Sequence, residues 1–236
     1  MHTRRILVAN AKGGCGKTTI ATNLASHYAS TGKIVRLFDY DSQGSALQWL
    51  KRRDDSLARI EGVDASRRPG NNMTRSWQMR VPPETQVVII DTPAGIEPPE
   101  VAAMLAEHDF LIIPVLPSPI DIHSTAHFIR DILLIGKARK RQVRVAVVAN
   151  RVRHNTLMYN QLQRFLFSLK IPFVTSLRDT QFYARAVAEG IGVQEIPHQH
   201  VRKDRQQWAS LVNWLDTPIE RPAAEVRPLF NSGRKV

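Results

Sequence analysis

Asn10-Ala11-Lys12-Gly13-Gly14-Cys15-Gly16-Lys17-Thr18-Thr19 follows directly on the apolar run Ile6 to Ala9 and leads into an amphipathic stretch, Lys17 to Ser30. A strand, a glycine-rich loop, Lys-Thr and a helix, in that order, are what a phosphate-binding loop requires. Glycines let the backbone turn tightly and aim its N–H groups at phosphate oxygens, and the helix behind adds the positive end of its dipole. On this reading Gly13, Gly14, Cys15, Gly16, Lys17, Thr18 and Thr19 wrap the phosphates of ATP. Lys17 reaches the β and γ phosphates, and the Thr18 hydroxyl ligates Mg²⁺.

Outward from the loop, Ile34 to Phe38, Val87 to Ile90, Phe110 to Val115 and Val143 to Ala149 are apolar, β-branched runs. Continuous apolar strands are buried on both faces, as in parallel sheets. Helical patterns separate them at Pro98 to Ala106, Ser124 to Lys137 and Thr156 to Leu169, and Gly32 reads as the stop of the first helix. The expected fold is α/β: a doubly wound, mainly parallel sheet with helices on both faces, of the P-loop NTPase kind, with ligands at the carboxyl ends of the strands. A short strand is expected at Ile60 to Asp64, and Arg53 to Arg80 is assigned no chemistry. Trp208, Leu211, Val212, Trp214 and Leu215 recur at near-helical spacing and predict a terminal helix packed on the sheet. Residues 1–215 are expected to form one domain, with 216–236 a loosely attached tail.

The chain has 236 residues, 43% hydrophobic and 23% charged, the balance of a globular protein. No apolar run approaches the roughly 20 residues needed to span a bilayer. The N-terminus runs straight into the strand before the loop, which argues against a cleaved secretory signal, so the expected compartment is the cytoplasm. Cys15 is the single cysteine, which excludes an internal disulfide and a multi-cysteine cluster. A net charge of +12, from 33 Lys and Arg against 21 Asp and Glu, predicts attraction to a polyanion, nucleic acid first.

Three further motifs follow the loop. Phe38-Asp39-Tyr40-Asp41-Ser42-Gln43-Gly44-Ser45 places two carboxylates at i and i+2 leaving the second strand, on the side of the phosphates. Val87 to Ile90 and then Asp91 is a Walker B arrangement, with Asp91 gripping Mg²⁺ through a water, followed by Thr92-Pro93-Ala94-Gly95. Asn150-Arg151 closes a late strand.

Lys12 to Thr18 resembles the deviant Walker A motif of the ParA/MinD family of dimerising ATPases, with Ala11 where a glycine is usual. The resemblance, carried by four motifs in order, extends from Ile6 to about Leu215. It implies that Lys12 crosses to the partner subunit and contacts its ATP, so that nucleotide holds a sandwich homodimer together. It also implies that Asp41 orients the attacking water and shares the metal site with Thr18 and Asp91. Asp39 would then hold the magnesium shell or the loop, the turn after Asp91 would act as a second switch, and Asn150 would read the adenine edge. Ser42 stands where the family has proline. Catalysis would rest on Lys12, Lys17 and Asp41.

An iron-protein reductase of this fold needs cluster cysteines that are lacking here. A MinD-like membrane-cycling ATPase remains the alternative, but it needs an amphipathic C-terminal helix, and Glu225 to Asn231 is short and broken by Pro228. A small ParA-type ATPase fits better, since the chain has no helix-turn-helix extension before its loop. Such an ATPase binds nucleoid DNA non-specifically and positions a plasmid, a chromosomal locus or a protein assembly, while a cognate adaptor on the cargo stimulates hydrolysis. Non-specific binding needs only cations on phosphates. The favoured residues are Arg178, Arg202, Lys203 and Arg205, with Lys137, Arg139, Lys140, Arg141 and Arg144 as a rim; Arg151, Arg153 and Arg185 add to the charge. His198 and His200 have ligand-like spacing but no cysteine partners, and are given no metal role.

Overall fold

The computed structural model describes residues 2–67, 74–136, 143–154, 156–169 and 171–218. Among these residues the chain runs β1 (Arg4–Val8), α1 (Lys17–Ser30), β2 (Val35–Asp39), α2 (Ser45–Lys51), β3 (Ile60–Asp64), α3 (Arg75–Gln78), β4 (Val87–Asp91), α4 (Pro98–Met104), β5 (Phe110–Val115), α5 (Pro119–Gly136), β6 (Arg144–Val152), α6 (Leu157–Ser168), β7 (Phe173–Arg178), α7 (Gln181–Glu189) and α8 (His198–Asp216). Seven strands form one sheet in the order β3-β2-β4-β1-β5-β6-β7, every pair parallel. β1 lies at the centre, so the phosphate loop leaves the sheet where β4 and β5 flank it.

Alternate residues of the central strands feed two separate cores. Ile6, Val8, Leu37, Ile89, Ile112 and Val148 face α1 and α8, whereas Leu7, Ile90, Leu111, Ile113 and Val147 face α4, α5 and α6. Both sides of each strand are therefore apolar, which is why the runs read as continuous rather than alternating. The short strand at Ile60–Asp64 is present at the sheet edge. Gly32 takes φ +80° just after α1, the left-handed conformation that ends a helix.

β7 escapes the sequence reading. It is an edge strand with only alternate positions buried, and Thr175 and Ser176 interrupt its apolar character. α2 and α7 are also unmarked in the sequence: at 7 and 9 residues they carry too few turns for a clear periodicity. The terminal helix is present, with Trp208, Leu211 and Leu215 buried and the Trp214 ring 5.5 Å edge-on to Phe110. Residues 219–236, most of the expected tail, lie outside the described residues, as do Lys137, Arg139, Lys140 and Arg141.

Leu211 is fully buried in the core beneath α8. Leu211→Ala is expected to cost about 3 kcal/mol in urea unfolding. A loss below about 1 kcal/mol would mean that α8 contributes little to the core.

Candidate nucleotide site

The loop is shaped by left-handed glycines and held from behind. Gly14 and Gly16 have φ of +75° and +99°, and a Cβ at Gly16 would sit 2.0 Å from the Asn150 side-chain nitrogen. That nitrogen donates to the Cys15 carbonyl at 2.8 Å, while the Asn150 amide oxygen accepts from the Arg151 N–H at 3.0 Å. Asn150 thus braces the loop through its amide. Arg151 itself takes a left-handed φ of 50°, an unusual backbone for a residue with a side chain.

Asn10 braces the other end, and the sequence reading passed over it. Its Nδ2 donates to Pro114 O at 2.7 Å and to Thr125 Oγ1 at 3.0 Å, and its Oδ1 accepts the Lys12 N–H at 3.1 Å. An asparagine two residues before the loop lysine offers no signal beyond a generic turn former, since the partners of its Nδ2 lie more than 100 residues away. Lys17 is buried, with Nζ donating to the Lys12 carbonyl at 3.1 Å across the mouth of the loop. Burial raises the Cys15 thiol pKa, and its Sγ lies 3.2 Å from the same carbonyl. The turn after β4 closes the site, with Gly95 N donating to Ala11 O at 2.8 Å.

The three aspartates divide their work. Asp39 and Asp91 are paired in register on adjacent strands, and Val8, the last residue of β1, pairs with Asp91 on the other side. Asp39 is fully buried and uses both oxygens on backbone: Oδ1 accepts from Asp41 N at 3.0 Å, and Oδ2 from Ala46 N at 2.9 Å and Leu47 N at 3.1 Å. It caps α2 and holds the turn, with three donors on a carboxylate that offers about four acceptor sites. Burial raises its pKa against those three donors. Asp41 is half-buried, its Oδ1 accepting from Gln43 N at 3.0 Å.

Asp91 differs from both. It is fully buried, and neither carboxylate oxygen has a hydrogen-bond partner within bonding geometry among the described residues. Burial is the main cause that pushes its pKa up to about 7, with Asp39 and Asp41 adding to the rise and Thr18 and Lys17 opposing it. An ionised carboxylate without a counter-charge is costly in such a place. Beside the Thr18 hydroxyl, a hard oxygen donor set with two orphaned oxygens fits a magnesium ion. Next to the loop, a cavity of about 640 Å³ is lined by residues that include Thr19, Asn150, Arg151, Asp179, Thr180 and Tyr183.

This loop, its buried carboxylate and the sheet order around them have relatives. The CobQ/CobB/MinD/ParA nucleotide-binding domain model matches residues 6–193. The chain belongs to that family. A maintenance of carboxysome distribution protein A from Halothiobacillus neapolitanus is 32% identical over 197 residues, covering 81% of this chain and 87% of the relative. One from Gloeobacter kilaueensis is 29% identical over 220 residues, covering 91% and 95%. The solved structure of apo McdA from Cyanothece superposes with a TM-score of 0.69 at 14% identity, covering 89% of this chain and 100% of that one, and shows the shared fold. The ParA/MinD resemblance and the doubly wound parallel fold both stand. The nucleotide-binding character of the family matches the loop.

The basic residues chosen for DNA divide sharply. The Arg178 guanidinium is bidentate on the fully buried Asp204, at 2.9 and 2.6 Å. Arg205 donates to the carbonyls of Gln194 at 2.6 Å and Ile196 at 3.0 Å. Both partly buried cations are engaged by the protein itself, through partners 9 to 26 residues away that cannot be read from a charge count. Arg144 is likewise engaged, 4.4 Å over the Trp214 ring and bonded to Thr217 O. Arg202 and Lys203 remain exposed on α8.

The raised pKa of Asp91 gives a signed expectation for the ligand-free protein. Its folded value near 7 stands above the unfolded 3.8, so its contribution to stability is full below about pH 4 and is lost as pH rises toward 7. Asp91→Asn is expected to be more stable than the parent at pH 8, by on the order of a few kcal/mol, and nearly equal at pH 4. Urea unfolding at both pH values measures this; parallel pH dependences for the two proteins would show that Asp91 ionises without cost.

Proposed function

We propose that this chain is an ATPase of the small ParA type, which dimerises on ATP, binds DNA non-specifically and distributes an intracellular cargo. The hydrolysis of ATP to ADP and phosphate is magnesium-dependent on this reading. The observation that carries it is Asp91, a buried carboxylate with two unpartnered oxygens beside Thr18 and Lys17. The names of its relatives point to carboxysomes as the cargo class. Residues 1–215 would act as the ATPase unit and 216–236 as an appendage.

The chemistry asked of each residue is modest. Magnesium, when bound, would neutralise charge on the β and γ oxygens. Asp91 and Thr18 would hold it, with Asp41 completing the set. The loop amides and Lys17 would bind the phosphates, Lys17 exchanging its bond to the Lys12 carbonyl for a phosphate oxygen. Asp41 leaves β2 beside Asp39, which fixes the turn and so the place from which a carboxylate can orient a water. Lys12, contributed across the dimer, would supply positive charge where it develops on the transferred phosphoryl group. The turn at Thr92 to Gly95, bonded to Ala11, would report the γ phosphate to the surface. A cargo-bound adaptor would then stimulate hydrolysis and release the dimer. The site of action would be the cytoplasm, on the nucleoid while ATP is bound. Among the described residues no helix is long and apolar enough to cross a membrane.

Binding to a random duplex with ATP, with ADP and without nucleotide, at two salt concentrations, tests the DNA step. Binding only with ATP, weakening steeply with salt, is the expected outcome. The double change Arg202→Ala with Lys203→Ala should weaken it several-fold. Arg178→Ala should instead cost about 3 kcal/mol of stability, because it strands Asp204. Nucleotide-independent binding would remove DNA from the cycle and turn attention to lipid vesicles. Light scattering and phosphate release test the rest. Lys12→Ala should lose ATP-dependent dimerisation, and Asp41→Ala should dimerise yet turn over at least about 100-fold more slowly; unchanged turnover would place the water-orienting group elsewhere.

A further inference from the structure

We propose that His123 and His127 on α5 form a surface site for a single zinc-class transition-metal ion. The two residues stand one helical turn apart, at i and i+4, where side chains share a face. Both are exposed, and their Nε2 atoms lie 3.0 Å apart, the rings edge-to-face with centroids 4.5 Å apart. Between neutral imidazoles this contact accommodates one proton, one nitrogen donating and the other accepting. When the donating ring shifts to its Nδ1–H tautomer by exchange with solvent, both Nε2 lone pairs are free for one metal ion and each imidazole stays neutral. With Zn–N bonds of about 2.0–2.1 Å, two nitrogens on one ion stand about 2.9 Å apart at a right angle and about 3.3 Å apart at the tetrahedral angle. The observed separation falls inside that span, so the helix presents the pair at the bite a metal needs without rebuilding. Imidazole nitrogen selects zinc, nickel, copper or cobalt over magnesium and calcium, which prefer oxygen. The pair therefore does not compete for the ion expected at Asp91. Among the described residues no third His, Cys, Asp or Glu joins the pair, so the other coordination positions fall to water or an incoming ligand.

The position on the helix gives the site a reach into the interior. Thr125 lies between the two histidines and is fully buried, accepting the Asn10 bond that braces the phosphate loop. An ion chelated by His123 and His127 would staple the turn that carries Thr125.

Titration of the metal-free, nucleotide-free protein with Zn²⁺ by calorimetry tests the site, in parallel with His123→Gln, His127→Gln and, as a control, His200→Gln. One equivalent should disappear in each α5 variant, or weaken by about 10-fold or more, and persist in the control. Adsorption at the loop carboxylates would be common to all four proteins and cancels in the comparison. Thermal melts should show a zinc-dependent rise for the parent that both α5 variants lack while keeping the parent's melting temperature in EDTA. Equal zinc uptake by parent and α5 variants, or no uptake by the parent, overturns the proposal and leaves the pair as a plain N–H to N hydrogen bond.

Discussion

A loop that grips phosphate with its backbone must keep its N–H groups free, and so its carbonyls and its flanks must be fastened from outside. Here two asparagine amides do that fastening. Asn150 takes the Cys15 carbonyl from the end of β6, and Asn10 ties the Lys12 amide to β5 and α5. Both are buried, so each unmet bond would leave a polar group stranded, and the loop conformation inherits the rigidity of three strands. The same logic extends along α1. Asn23 bonds the Thr19 carbonyl and the Val193 N–H, which couples the first helix to the segment leading into α8.

The fold was legible wherever a residue's burial depended on near neighbours in sequence. Apolar runs marked β1, β2, β4, β5 and β6 because both faces of a parallel sheet are covered, and the glycine-rich loop marked its centre. β7 was not legible, because an edge strand buries one face only and its polar positions mimic a loop. The site was legible in its residue types and less so in their division of labour. Asp39 and Asp41 look equivalent as a pair of carboxylates. Only the α2 N-terminus, folding back onto Asp39, distinguishes the capping residue from the half-exposed one.

Charge was the least legible property. A surplus of cations says that some of them face solvent but not which, since each guanidinium offers five donors that can be taken up by carbonyls or a buried carboxylate. Arg178, Arg205 and Arg144 are all absorbed in this way, around α8. Arg53 behaves similarly, paired with Glu195 where both are buried, and ties the end of α2 to the segment after α7. Among the described residues around α8, the free basic surface is thus smaller than a count of cations implies.

The in-register pairing of Val8, Asp39 and Asp91 across three neighbouring strands carries a consequence for how the molecule forms. Residues separated by more than 80 positions meet only when β1, β2 and β4 have zipped in the correct alignment, and a slip of one residue turns a carboxylate to the opposite layer. The binding centre therefore cannot exist in a partly assembled sheet. Ligand affinity becomes a proofreading signal for strand registration: a chain that captures nucleotide has its middle strands aligned, and mass action draws misaligned chains toward that arrangement.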